Sequence, residues 1–119
     1  MVKLSLYHGT SIKNLGNLLE KGILPWNLLG KHNWESESDL DGIFTPKKDC
    51  VYLGNLKKAK NYAKFVGNGV VLKVEVNVDK LEFDEDSFKS NWKDSLRFNG
   101  TCAYHGIIIP EQIKKIIYL

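Results

Sequence analysis

Arginine is almost missing from this chain: Arg97 stands alone among 17 basic residues, the other sixteen being lysine. A guanidinium is the usual fork-shaped donor to base edges and phosphates, so the composition argues against a dedicated base-reading surface. The net charge of +3 is also too mild to imply nucleic-acid binding by itself. Cysteine is scarce as well. Cys50 and Cys102 lack the C-x-x-C spacing of a zinc site or a disulfide framework, and each lies in an apolar run, so both are read as buried reduced thiols. No apolar stretch approaches the roughly 18 residues of a membrane span, and Met1-Val2-Lys3 opens directly into an alternating strand without a leader. The expectation is a soluble, cytoplasmic protein. Missing too are a Gly-rich phosphate loop, H-E-x-x-H and G-x-S-x-G.

What remains suffices for one core. With 119 residues, 43% of them hydrophobic, residues 1–119 read as a single domain, typical domains running roughly 100–150 residues. A chain of this size buries on the order of two-thirds of its unfolded surface, and any ligand must sit in a cleft of that unit or at an oligomer interface.

Val2, Leu4 and Leu6 alternate with Lys3, Ser5 and Tyr7 as in a half-buried strand, and His8 falls on the aliphatic face at its rim. Ser11 or Thr10 can cap the helix carrying Ile12, Leu15, Leu18 and Leu19, which Lys21-Gly22 stops. Periodicity is lost over residues 25–48, which hold Gly30, His32, Trp34 and four acids from Glu35 to Asp41. A loop of that length fits a lid over a ligand or a mobile insertion. Cys50 to Leu53 reads as a strand, and Asn55 as the cap of a helix with Leu56, Ala59, Ala63 and Val66 inward. Lys57, Lys58, Lys60 and Lys64 lie on that helix, first as a solvated face and second as phosphate contacts. Val70, Leu72, Val74, Val76 and Val78 line one face of the clearest strand. Residues 79–100 read as loop with a short helix, 101–109 as a strand broken by Pro110-Glu111, and 114–119 as a closing strand. Early helices followed by strands point to α+β with a mixed or largely antiparallel sheet.

Leu6-Tyr7-His8-Gly9-Thr10-Ser11 and Val51-Tyr52-Leu53 with Lys57-Lys58-Ala59-Lys60-Asn61-Tyr62-Ala63 resemble two motifs of the ADP-ribosyltransferase superfamily. The likeness is to its poly(ADP-ribose) polymerase-like, or diphtheria-toxin-like, side. The first is similar to the His-Gly-Ser/Thr triplet, the second to the Tyr-Phe-Ala…Lys-Ser-x-x-Tyr element. Residues 99–113 resemble the closing strand and Pro-Glu turn of RNA 2′-phosphotransferases and DNA-modifying members. The resemblance implies a split mixed or antiparallel sheet with two main helices and NAD as co-substrate. It implies that His8 bonds the adenosine ribose and that the Gly9 backbone meets the nicotinamide carboxamide, with Thr10 completing the triplet. Tyr52 would lie beside the nicotinamide ribose and Tyr62 would stack on the ring. The glutamate that many members carry on the closing strand has no counterpart among Gly100, Thr101, Cys102 and Ala103. Thr101 is the nearest polar substitute, Arg97 serves in the 2′-phosphate reading, and Glu82, Asp84, Glu85 and Asp86 read first as surface charge and second as acids that reach the site.

The catalytic candidates are therefore Tyr52 and Thr101, the NAD-binding candidates His8, Gly9, Thr10, Tyr52 and Tyr62, and no metal is expected. The implied function is mono-ADP-ribosyl transfer to a macromolecule, nucleic acid slightly ahead of protein, as in toxin, bacteriophage or defence-related relatives. A non-catalytic module binding NAD or ADP-ribose and a reduced RNA 2′-phosphotransferase are the alternatives. His32 and His105 are read as structural.

Overall fold

A computed structural model describes residues 2–25, Leu28 and residues 49–119. The expected lid over residues 25–48 falls almost wholly outside these residues. The described chain forms an α+β domain around one six-stranded antiparallel sheet. We label the strands β1 (Lys3–Ser11), β2 (Cys50–Gly54), β3 (Gly69–Asn77), β4 (Leu81–Glu82), β5 (Thr101–His105) and β6 (Ile113–Tyr118). The helices are α1 (Leu15–Lys21), α2 (Leu56–Val66) and α3 (Trp92–Asp94), the last continuing into wider π turns over Ser95–Asn99. No described helix is long and apolar enough to cross a membrane.

The strands run in the order β4-β5-β2-β1-β3-β6. β1 pairs with β3 over nine positions, from Lys3 opposite Asn77 to Ser11 opposite Gly69. It pairs with β2 at one position only, Tyr7 opposite Gly54. Between these two central strands the sheet is therefore joined at a single point.

Period-two alternation sorts side chains between two covered faces. On one face Leu6, Val51, Leu53, Leu72, Val74, Val76, Cys102 and Tyr104 form the main core with Ile23 and Ile108, and Leu15, Leu18, Trp92 and Leu96 pack against it. Burying each large aliphatic contributes about 1.5–3 kcal/mol. On the other face α2 lays Ala59 and Ala63 against Val71, with Tyr7, Leu56 and Ile117 around them. Small residues on the helix require small residues beneath. A Cβ on Gly9 would lie 2.3 Å from the Ala59 carbonyl oxygen, and one on Gly69 would lie 2.1 Å from that of Ala63. The absent side chain at Gly9 is thus a packing requirement of α2, whatever ligand approaches it.

Local signals behave as their chemistry dictates. Asn55 caps α2, its Oδ1 accepting from the Lys58 amide at 2.9 Å, and Gly22, at φ 87°, ends α1. The expected apolar stripe of α1 is narrower than its sequence: Leu15 and Leu18 pack inward, while Ile12 and Leu19 are exposed. The strand expected over residues 101–109 stops at His105. Gly106 turns the chain at φ 99°, and Ile108 instead makes an isolated bridge to Ile23.

Candidate functional site

The single β1–β2 contact opens the α2 face of the sheet, and a cavity of about 170 Å³ lies there. Its wall is Tyr7 and Gly9 from β1, Tyr52 and Gly54 from β2, Thr101 from β5, and Lys58, Ala59 and Tyr62 from α2. The strand positions follow from alternation, since residues i and i+2 share a face. The helix positions follow from the i, i+1, i+4 spacing of Lys58, Ala59 and Tyr62. Four residues singled out in the sequence, Gly9, Tyr52, Tyr62 and Thr101, meet in this one cavity. A volume of this size is below that of drug-sized pockets, roughly 300–1,000 Å³, and suits a single aromatic ring.

His8 and Thr10 are not among the lining residues, because they point to the opposite face from Gly9. His8 is 5% exposed, a buried residue rather than the rim residue expected. Its Nδ1 lies 3.1 Å from the carbonyl oxygen of Tyr52. A carbonyl only accepts, so Nδ1 carries the proton and Nε2 is left as an acceptor. Burial lowers the pKa of His8, and the bond to the Tyr52 carbonyl partly opposes that shift. Thr10 holds the turn into α1, its Oγ1 accepting from the Asn14 side-chain amide at 3.3 Å.

The acids after β4 require a correction. Asp84 and Glu85 read first as surface charge in the sequence, yet Asp84 is 5% exposed and Glu85 meets a cavity residue. The Tyr52 hydroxyl donates to the Glu85 carboxylate, with both oxygens in reach and Oε2 at 2.8 Å. Thr101 Oγ1 donates to Asp84 Oδ2 at 2.6 Å and accepts from the Asn99 side-chain amide at 2.6 Å. Ser95 holds this arrangement from behind, its hydroxyl accepting from the Asp84 amide at 2.8 Å and donating to the Thr101 carbonyl at 2.7 Å. Two carboxylates thus stand one hydrogen bond behind the wall, while no acidic side chain lines the cavity itself among the described residues.

Lys58 was read with its neighbours as a solvated face; it is the one of the four lysines that borders the cavity. Tyr7 and Gly54 are additions to the site that sequence reasoning missed, while Lys58, Asp84 and Glu85 carry a site role in the sequence only as the second of two readings. Tyr7 and Gly54 had a signal, lying two residues from Gly9 and Tyr52 on the same strands. Both cysteines are buried thiols outside any disulfide, and burial with the nearby Asp84 charge pushes the Cys102 thiol up to about 12.

An aromatic slot with a glycine floor, one bordering lysine and two indirectly coupled carboxylates can seat a flat polar ring and stabilise adjacent positive charge. No family model matches this chain, and no curated protein matches it either.

Proposed function

We propose that the chain is a mono-ADP-ribosyltransferase that moves ADP-ribose from NAD to a macromolecular acceptor. The observation that carries this reading is the convergence of Gly9, Tyr52, Tyr62 and Thr101 on one ring-sized cavity, with Glu85 bonded to Tyr52. The one-position β1–β2 pairing supports the split sheet that the motif resemblance implies.

In this reading nicotinamide enters the cavity and stacks on Tyr62, such contacts contributing about 0.5–1.5 kcal/mol beyond area burial. Its carboxamide meets the backbone at Gly9. The rest of the dinucleotide lies outside the cavity, with the Lys58 ammonium available to the pyrophosphate. The bond from ribose C1″ to the ring nitrogen breaks, and its electron pair leaves on nicotinamide. The acceptor nucleophile bonds to C1″ and gives up its proton to solvent. Positive charge develops on the ribose between these events. Tyr52 and Thr101 are the hydroxyls at that position, each polarised by a carboxylate behind it. Positioning and electrostatic support of this kind replace the missing wall acid. His8, on the opposite face from Gly9, does not line the cavity and contributes by holding the Tyr52 backbone through its Nδ1.

A second reading, a binding module for NAD or ADP-ribose without turnover, is favoured by the lack of an acid in the cavity wall. One experiment separates the two. Purified protein is incubated with NAD and cell lysate, nicotinamide release is followed, and lysate protein and nucleic acid are weighed by mass spectrometry. Release with a gain of one ADP-ribose on an acceptor is expected. NAD binding without release supports the module, and no binding at all removes both readings.

A further inference from the structure

Cys50 and His105 give no metal motif in the sequence, but the fold sets them directly opposite each other in the β2–β5 ladder. Side chains of directly opposed residues emerge on the same face with Cβ atoms about 4.5–5.5 Å apart. Asp49 immediately precedes Cys50, and its carboxylate, the Cys50 sulfur and the His105 imidazole lie within 4.8 Å of one another. Individual spacings are tighter. Cys50 Sγ is 3.6 Å from Asp49 Oδ1, and His105 Nδ1 is 3.3 Å from Asp49 Oδ2. Glu82, brought in by β4, places its Oε2 3.2 Å from the same imidazole nitrogen.

Three of these spacings, 3.2, 3.3 and 3.6 Å, lie near the edges of a tetrahedral ion, within a triad whose ligand atoms are all inside 4.8 Å. Zinc bonds of about 2.0–2.3 Å to oxygen, nitrogen and sulfur imply ligand–ligand edges of roughly 3.3–3.7 Å. The donor set decides the class of ion. One thiolate and one imidazole select a borderline-soft cation over magnesium or calcium, which take oxygen ligands. Burial is also graded as such a site needs: Cys50 is fully buried, while the His105 and Asp49 side chains are 53% and 56% exposed and open a path for the ion.

We propose that Asp49, Cys50, Glu82 and His105 form a binding site for a divalent cation of the zinc class. Binding releases the Cys50 proton and the His105 Nδ1 proton to solvent, and the imidazole–carboxylate contacts become metal bonds. The ion ties β4, β5 and β2 together at the end of the sheet away from the Tyr7–Gly54 junction. This site does not depend on the nucleotide reading, since none of its residues lines the cavity.

The test uses the full chain with zinc and with cobalt as a spectroscopic probe. Equilibrium dialysis should give one zinc per chain, and cobalt should show the charge-transfer band of a thiolate ligand with tetrahedral d–d absorption. Cys50→Ser should abolish the charge-transfer band. His105→Ala, at an exposed position that leaves folding intact, should weaken zinc by more than the roughly 10–100-fold lost when an outer partner is removed. Cys102→Ser, which alters the other buried thiol, should leave the band in place. Zinc should raise the melting temperature of the native chain but not that of His105→Ala. Failure to bind either metal overturns the proposal, as does binding that both Cys50→Ser and His105→Ala leave unchanged.

Discussion

Glu85 lies 33 residues beyond Tyr52 in the chain, and its carboxylate accepts the Tyr52 phenol hydrogen bond at the wall of the cavity. The acid that motif comparison seeks on β5 is absent there. Negative charge reaches the same region from the segment after β4, through Tyr52 and, at Asp84, through Thr101. A hydroxyl bonded to a carboxylate is a stronger acceptor toward developing positive charge than a hydroxyl alone.

Glu85→Gln separates charge from shape. The amide oxygen can still accept from Tyr52, but the negative charge is gone. In the transferase reading, NAD binding stays close to native while nicotinamide release falls by roughly 10²-fold. Single-turnover release measured beside NAD titration checks this. Equal release in the two proteins removes Glu85 from the mechanism.

Gly9→Ala tests the seating of α2. The new Cβ meets the Ala59 carbonyl oxygen at 2.3 Å and the Ala63 amide nitrogen at 3.2 Å, both backbone atoms that cannot rotate aside. We expect a stability loss of about 1–3 kcal/mol, the usual cost of overpacking, read from urea midpoints. Tyr62 rides on the same helix, so NAD affinity should fall with it. An unchanged midpoint would show that α2 has slack over β1.

His8 links the fold to pH. Its folded pKa lies below the ordinary 6.5, mainly through burial, so below that value the unfolded chain binds the extra proton. Stability from this group is complete above pH 6.5 and is lost as pH falls beneath it, at no more than about 1.4 kcal/mol per pH unit. His8→Gln keeps a donor for the Tyr52 carbonyl and does not titrate. Between about pH 7 and pH 5 the native chain should therefore lose more stability than His8→Gln in urea denaturation. Parallel losses would mean that protonated His8 is tolerated in place.

How much of this was legible beforehand depends on the range of each interaction. Alternation from Val70 to Val76, the Asn55 cap and the Gly22 stop are local, and the sequence carries them in full. The convergence of Gly9, Tyr52, Tyr62 and Thr101 was reachable because each belongs to a short motif in a set order. Asp84 and Glu85 could be named as acids that reach the site but not given their partners. They follow a strand of only two residues, Leu81–Glu82, too short for a period to register, and their partners are 17 and 33 residues away. The meeting of Cys50 with His105 is likewise a matter of strand register, which composition and spacing do not encode. His8 shows a subtler limit. The face it occupies was read correctly, but not that a carbonyl of β2 would claim its ring nitrogen.

The sheet consists of two three-strand ribbons, β4-β5-β2 and β1-β3-β6, stitched at Tyr7 and Gly54. Backbone cohesion at that seam is far weaker than along the nine paired positions of β1 and β3. Where Gly9 faces Tyr52, the His8–Tyr52 bond acts as a strap across the seam. Cohesion between the ribbons therefore falls to side chains, Leu6 of one sharing a single apolar core with Val51 and Leu53 of the other.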